Sequence, residues 1–359
     1  MRPTSATVRL ADIAANYRLA NSLAPGSKSM AVIKANAYGH GMVSVARHLE
    51  DIVPAFAVAF IEEAVRLRDA GVAKPILVLQ GINHVSELPE AVDKDLWLLL
   101  HRQQQVDWLL SARLARPLRV WLKVDTGMHR LGFAAAALDP VCAALRSSAN
   151  AENGVVLCTH LARADLPDDP MTPQQVGSLR ACATKYGLGM SIANSAGILF
   201  WPESHAQWNR PGYMLYGLSP SGAIGGDPHG LKPAMTMNSG IIAIRDVPAG
   251  EGVGYGHGWV ARQKSKIGTV AIGYGDGYPR HAPSGTPVLV NGVRVPLAGR
   301  VSMDAICIDL TGVDNVQVGD PVELWGRNLS VNEVASSAGT IGYELLAGLT
   351  GRVPLKYQS

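Results

Sequence analysis

Apolar residues in the first two-thirds of this chain follow two alternating patterns: short continuous runs, and stretches where they recur every three or four positions. Ile13, Tyr17, Ala20 and Leu23 have helical spacing, with Asp12 as the expected N-cap and Pro25-Gly26 as the stop. Met30-Ala31-Val32-Ile33 then reads as a buried strand, and Met42, Val45, Ala46 and Leu49 as the next helical stripe. The unit repeats. Further strand-like runs begin near Ala55, Pro75, Leu96, Leu118, Gly154, Gly189 and Ala206, the last being the weakest, with helical stretches between most of them. Strands that alternate with helices in this way are parallel and joined by helical crossovers. Eight such units in roughly 230 residues fit a closed barrel better than a doubly wound sheet, since a barrel takes about 250 residues. The expected N-terminal domain is a (β/α)8 TIM-type barrel over residues 1–233.

Past Lys232-Pro233 the pattern changes. Segments 239–244, 266–272, 287–290, 294–297, 305–310 and 322–325 read as short strands, with Asn291-Gly292 as a two-residue hairpin turn. Helical patterning is confined to 331–338 and 343–349. A mostly β domain over residues 234–359 is expected, to which residues 1–10 are a candidate addition.

Composition narrows the function. The 359 residues hold 32 basic and 29 acidic side chains, a net charge of +3. A chain that neutralises many phosphates, or lies on an anionic membrane, shows a larger basic excess or a basic stripe, so neither nucleic acid nor membrane is an expected partner. With 47% hydrophobic and 17% charged residues the chain is globular rather than disordered. Cys142, Cys158, Cys182 and Cys307 include no CxxC pair, which disfavours a zinc ribbon or a dithiol redox centre. Residues 1–10 lack an apolar signal-peptide region, and no apolar run approaches the ~18 residues of a membrane span. The expected location is the cytoplasm, with reduced thiols.

Reactive residues of such a barrel lie at the C-terminal ends of its strands. Lys34 ends the first strand, in Ile33-Lys34-Ala35-Asn36-Ala37-Tyr38-Gly39-His40-Gly41. A lysine buried there readily loses its proton and can form a Schiff base with a carbonyl compound; a snorkelling rim lysine is the other reading. Arg210-Pro211-Gly212-Tyr213 follows the last strand and is expected to open a short helix, whose N–H groups suit a phosphate, with Gly212 permitting close approach. A simple tight turn is the alternative. His160, at the end of the sixth strand, is a candidate functional group or a satisfied rim residue, and Cys158 beside it lacks the further ligands of a metal site. Tyr255 lies in Gly252-Val253-Gly254-Tyr255-Gly256-His257-Gly258, which is not a dinucleotide-binding fingerprint and reads on its own as a flexible loop.

The Lys34 segment resembles the pyridoxal-phosphate attachment motif of alanine racemases. Similar segments follow in the family's order from about Ala6 to Tyr357: Lys123-Val124-Asp125-Thr126-Gly127-Met128-His129-Arg130-Leu131-Gly132, Ala193-Asn194-Ser195-Ala196-Gly197, Arg210-Pro211-Gly212-Tyr213-Met214-Leu215-Tyr216-Gly217, Val253-Gly254-Tyr255-Gly256, Ile272-Gly273-Tyr274-Gly275-Asp276-Gly277-Tyr278 and Arg300-Val301-Ser302-Met303-Asp304. The resemblance implies pyridoxal 5′-phosphate bound to Lys34. It gives the phosphate the hydroxyls of Tyr38, Ser195 and Tyr343 and the N–H groups of Gly212 and Tyr213, and counts Asn194 among the cofactor contacts. It implies that Arg210 faces the pyridine nitrogen, with His160 between that arginine and a catalytic tyrosine.

That tyrosine is Tyr255, which the resemblance makes the second base, supplied across a homodimer interface to the partner's site. Arg130 would contact substrate and cofactor, Lys123 would be carbamylated and orient Arg130, and the Met303 backbone would bind the substrate carboxylate from the opposite subunit. The implied activity is interconversion of L- and D-alanine by two bases, Lys34 serving D-alanine and Tyr255 L-alanine. It would supply D-alanine for peptidoglycan or serve alanine catabolism. Two rivals stand beside it. A broad-specificity racemase would be expected to carry an export signal. A non-enzymatic pyridoxal-phosphate carrier would have no need of a β domain bearing Tyr255 and Met303.

Overall fold

The computed structural model describes residues 2–222 and 229–358. Its first half is a ring of parallel strands. Lys28–Ser29 and Ala31–Val32 are two halves of one strand, broken at Met30. Phe56–Val58, Ile76–Val78, Leu96–Leu100, Val120–Lys123, Val156–Cys158, Gly189–Ser191 and Trp208–Asn209 follow in spatial order. The first half-strand pairs with Trp208–Asn209 and the second with Phe56–Val58, so the split strand closes the ring. This is the (β/α)8 barrel expected from the sequence, and even the weakest strand lies within two residues of its expected start.

Both faces of most barrel strands are buried, and alternation decides which way a side chain points. Ala31, Ile33, Phe56, Val58, Ile76, Val78, Leu98, Leu122 and Leu157 pack outward under the helices. Met30, Val32, Ala55, Ala57, Leu77, Trp97, Leu99, Trp121, Val156 and Cys158 fill the interior. Trp97, Trp121 and Trp208 all stand at the starts of their strands, with ring centroids 5.8–6.4 Å apart. Arg119 covers Trp97 and Lys28 covers Trp208 from outside, at 4.8 and 5.5 Å. The N-terminal mouth of the barrel is thereby plugged, and space remains at the C-terminal mouth.

The first helix, Leu10–Leu23, starts earlier than expected, with Arg9 at its N-cap. Asp12 sits in the first turn, and its carboxylate accepts from Arg327 at 2.5 Å. The cause is upstream: Ser5–Arg9 is an extended strand that runs straight into the helix, so no capping side chain is needed to break the chain there.

That strand belongs to the β domain. Met235–Val247, longer than the expected segment, is the shared spine. It pairs antiparallel with Ser5–Arg9, with Pro321–Trp325 and, past an irregularity near Ile241, with Ser265–Val270. Ser5–Arg9 also pairs in parallel with Leu355–Gln358, near the other end of the chain. Pro287–Val290 and Val293–Pro296 form the expected hairpin, with Asn291 and Gly292 at φ of 49° and 80°. Positive φ at both turn positions matches the twist of the flanking strands. Among the described residues no helix is long and apolar enough to cross a membrane.

Candidate active site

Inward-pointing positions continue past the strand ends, and this is how the barrel delivers its polar side chains. Val32 points inward, so Lys34 does; Trp121 leads to Lys123, Val156 and Cys158 to His160, and Trp208 to Arg210. These four side chains line one cavity of about 540 Å³ at the C-terminal mouth, with Tyr38, Arg130, Asn194, Ser195, Gly212, Tyr213 and Tyr343. Tyr255 and Met303 are not among its walls. They are 69% and 53% exposed, on the β domain. Eleven of the thirteen candidate residues therefore meet around one space, and two stay outside it.

The backbone after Lys34 is unusual. Ala35, Asn36, Ala37 and Tyr38 all lie in the left-handed region, with φ from 50° to 55°, and Gly39 follows at 80°. L-residues rarely form a left-handed helical turn, which costs roughly 1–2 kcal/mol for each residue with a Cβ. Such strain persists where the surroundings over-determine it. Ala37 N–H donates to Ile33 O at 2.8 Å, Gly39 N–H to Ala35 O at 3.1 Å, and Met42 N–H to Asn36 Oδ1 at 3.0 Å. The turn places Tyr38 against Tyr216, with ring centroids 4.9 Å apart, and its hydroxyl towards Gly212.

His40 locks the far end of this turn. It is fully buried, its Nδ1 lies 3.1 Å from Ala37 O and 2.9 Å from Tyr38 O, and its ring packs on Tyr216. Nδ1 therefore carries the proton and donates. Burial pulls the imidazole down to about 4, against the pull of those two carbonyls. An unfolded histidine takes up its proton near 6.5, so the folded state resists protonation that the unfolded chain accepts. Stability from this group is complete above pH 6.5 and drains away as pH falls to about 4, by about 3 kcal/mol. Replacing it by asparagine, which keeps a donor but does not titrate, should show this in thermal melts. The stability gap between wild type and His40→Asn narrows on acidification; a gap constant from pH 7 to pH 4 removes the effect from His40.

At the opposite wall, Arg210 is the most firmly held side chain. Its guanidinium donates to Thr159 O at 2.6 Å, to Ile192 O at 3.2 Å and to Ser191 Oγ. The segment after it is a single short turn, Tyr213–Tyr216, rather than a helix with a dipole of its own. What converges there is more local. Ser195 Oγ receives both Gly212 N–H and Met214 N–H, at 3.0 and 3.2 Å, and Asn194 caps the helix Ser195–Phe200. A Cβ on Gly212 would lie 2.9 Å from the Tyr38 hydroxyl. Tyr213 stacks on Tyr343 with centroids 3.5 Å apart and donates to Asn332 Oδ1 at 2.7 Å.

The cavity is cationic. Lys34, Lys123, Arg130 and Arg210 line it, no carboxylate does, and none of the four is in an ion pair among the described residues. Burial weakens the hold of Lys34 on its proton, Arg130 and Arg210 weaken it further, and Glu63 opposes them. Lys123 is weakened by burial first and then by Arg210, Arg130 and Lys34. His160 is held well below the usual imidazole range by burial and by the same cations, so it is neutral. Burial pushes the phenols of Tyr38, Tyr213 and Tyr343 up, which keeps them as hydroxyl donors. Such a site favours a ligand with at least one strong anion.

Residues 8–220 match the model of the alanine racemase N-terminal domain, and residues 234–357 that of the C-terminal domain. The chain belongs to the alanine racemase family. It is 48% identical over 357 residues to the biosynthetic alanine racemase of Pseudomonas aeruginosa and to an alanine racemase of Stutzerimonas stutzeri, covering 99% of each chain in both cases. A crystal structure of the Pseudomonas aeruginosa protein superposes over the full length of both chains with a TM-score of 0.97. The alanine racemase of Bartonella henselae with covalently bound pyridoxal phosphate, 30% identical, superposes over the full length of both with a TM-score of 0.92.

Against this alanine racemase frame, several residues around the cavity carry no motif signal of their own. Gln80, Leu79, Leu99 and Cys158 line it, and Cys158 does so as an apolar wall. Parity along the strands would have found Leu79, Leu99 and Cys158. Gln175, fully buried on the helix Met171–Tyr186, donates to His160 O at 3.0 Å and Thr126 Oγ1 at 3.2 Å and accepts from Ala162 N–H at 2.9 Å. It ties the His160 strand end to the loop leading to Arg130, and only the folded contacts show it.

Proposed function

We propose that this chain interconverts L- and D-alanine as a homodimer, with pyridoxal 5′-phosphate held by Lys34 and a second base, Tyr255, supplied by the partner copy. The observation that carries the reading is the cationic cavity with a neutral-prone lysine at its wall and a glycine-lined hydroxyl cluster opposite. Tyr38, Ser195, Tyr343 and the Gly212 and Tyr213 backbone would hold the phosphate, with Asn194 ordering Ser195. When bound, the cofactor supplies an aldehyde that combines with amines and a conjugated ring that acidifies the α C–H of the attached amino acid. The residues present fit that group in charge, in hydroxyl donors and in the close approach that Gly212 allows.

Each side chain then has a defined task. Lys34, its ammonium destabilised by burial and by two arginines, is an amine nucleophile and can take or return a proton on its own face of the substrate. Arg210 would meet the ring nitrogen. A guanidinium only donates and stays charged, so it disfavours a proton on that nitrogen and keeps the ring a mild electron sink. His160, neutral beside Arg210, would link the arginine to the tyrosine. Arg130 would take the substrate carboxylate and cofactor ring with the Met303 backbone of the partner copy.

Inversion needs a base on each face, and Lys34 serves one of them. Tyr255 and Met303 face solvent on the β domain, as residues destined for another copy's cavity should. Lys123 invites carbamylation: as a neutral amine it adds to CO₂ and releases a proton, and the resulting anion faces Arg130 instead of repelling it. The function is tested by incubating the protein and pyridoxal phosphate with a panel of single-enantiomer amino acids, read by chiral chromatography. Alanine should be racemised from either enantiomer and be the best substrate. Consumption of both enantiomers without a racemate would overturn the reading.

A further inference from the structure

The strained turn that carries Lys34 is held mostly by bonds within itself, with one exception. Ala35 N–H, the amide next to Lys34, donates to Glu63 Oε1 at 2.6 Å. Glu63 stands on the helix Ile61–Asp69, in the next strand–helix unit. Its other oxygen accepts from Ala59 N–H at 2.7 Å and Phe60 N–H at 3.4 Å. The second oxygen does the ordinary work of a glutamate in the first turn of a helix, satisfying the N–H groups just ahead of it. The first oxygen has no such duty. Among the described residues, no other hydrogen bond ties residues 34–38 to another part of the fold.

We infer that Glu63 is a positioning residue of the active site: its carboxylate bridges the ends of the first two barrel strands and thereby sets the left-handed turn that aims Lys34 and Tyr38 into one cavity. Only an ionised carboxylate offers acceptors on both sides; an amide of the same shape turns an N–H₂ towards one of the two backbone donors. Glu63 also acts on Lys34 through charge. Arg130, Arg210, Lys123, His160 and Tyr38 share the cavity with that amine, and Glu63 is the anion that offsets the two arginines.

The inference rests on Lys34 being the cofactor lysine, and the decisive variant is Glu63→Gln. Glutamine serves a capping box as well as glutamate does, so the helix start should be preserved and the Tm should fall only by the loss of the one bond to Ala35. The holoenzyme variant should lose about tenfold or more in kcat, since one charge-assisted bond is lost at a strained turn, while KM for alanine moves little. Without the anion Lys34 holds its proton less tightly, so the limb of the pH–kcat profile that needs neutral Lys34 should move to lower pH. The induced circular dichroism of the bound cofactor should change as its attachment point turns.

Wild-type kcat, pH profile and dichroism in Glu63→Gln would overturn the inference. In the unmutated holoenzyme the Ala35 amide should exchange its hydrogen slowly, and exchange as fast as that of an open loop would also overturn it, whether or not the variant folds. If the wild-type protein does not racemise alanine, the proposed function fails, while the Ala35 exchange rate still decides whether Glu63 clamps the turn.

Discussion

Lys34→Ala is expected to release pyridoxal phosphate from covalent attachment and to lower racemisation by at least about 10⁴-fold, because one side chain provides both the nucleophile and a base. The substitution removes one of four cations from a cavity lined by no carboxylate, so it relieves repulsion and should not unfold the barrel. The proposed phosphate contacts at Tyr38, Ser195 and Gly212 are untouched, and the cofactor should still bind reversibly. The measurement is a mass shift at the Lys34 peptide after borohydride reduction, together with chiral chromatography. A variant that retains the mass shift, or turns over at wild-type rate, places the reactive amine elsewhere.

Tyr255→Phe should lose about 10²–10⁴-fold in turnover while keeping the Lys34–cofactor absorbance, since it removes one proton donor and nothing that holds the ring. Mixing the two dead variants gives a sharper result. If Tyr255 works in the partner's cavity, a dimer of one Lys34→Ala chain and one Tyr255→Phe chain contains one site with both residues intact. Random pairing of equal amounts should then restore about a quarter of wild-type activity. If Tyr255 worked within its own chain, no pairing would restore any. The 69% exposure of Tyr255, outside the walls of its own cavity, is the structural ground for expecting recovery.

Much of the barrel was legible because its grammar is redundant. Buried strands of two to five residues leave weak signals singly, but the helical stretches between most of them fix their number and direction. Once the strands are placed, period-two alternation carries Val32 to Lys34 and Trp208 to Arg210, so part of the site follows from parity. The left-handed turn does not. Asn36 and Gly39 are tolerant of positive φ, but Ala35, Ala37 and Tyr38 are not, and nothing local announces a conformation imposed by Glu63 and His40. Glu63 itself reads as an ordinary acidic residue in a helix's first turn, because its second bond is to a residue 28 positions away. Asp12 failed as an N-cap for a related reason: the upstream strand that fixes the helix start is stabilised by pairing with residues more than two hundred positions later.

That pairing gives the chain an order of assembly. Ser5–Arg9 leaves the ribosome well ahead of its antiparallel neighbour, which begins at Met235, and of its parallel neighbour, which begins at Leu355. At about 5–20 residues per second, the first of these appears some 10–45 seconds later. Through that interval Ala6 and Val8, fully buried in the finished protein, belong to a strand without a sheet, attached directly to a helix that the nascent barrel already needs. The barrel can form while the chain is being made, but Ser5–Arg9 stays open to chaperones and to other nascent chains until Met235–Val247 has been made. Slowing translation between the two strands should therefore raise aggregation.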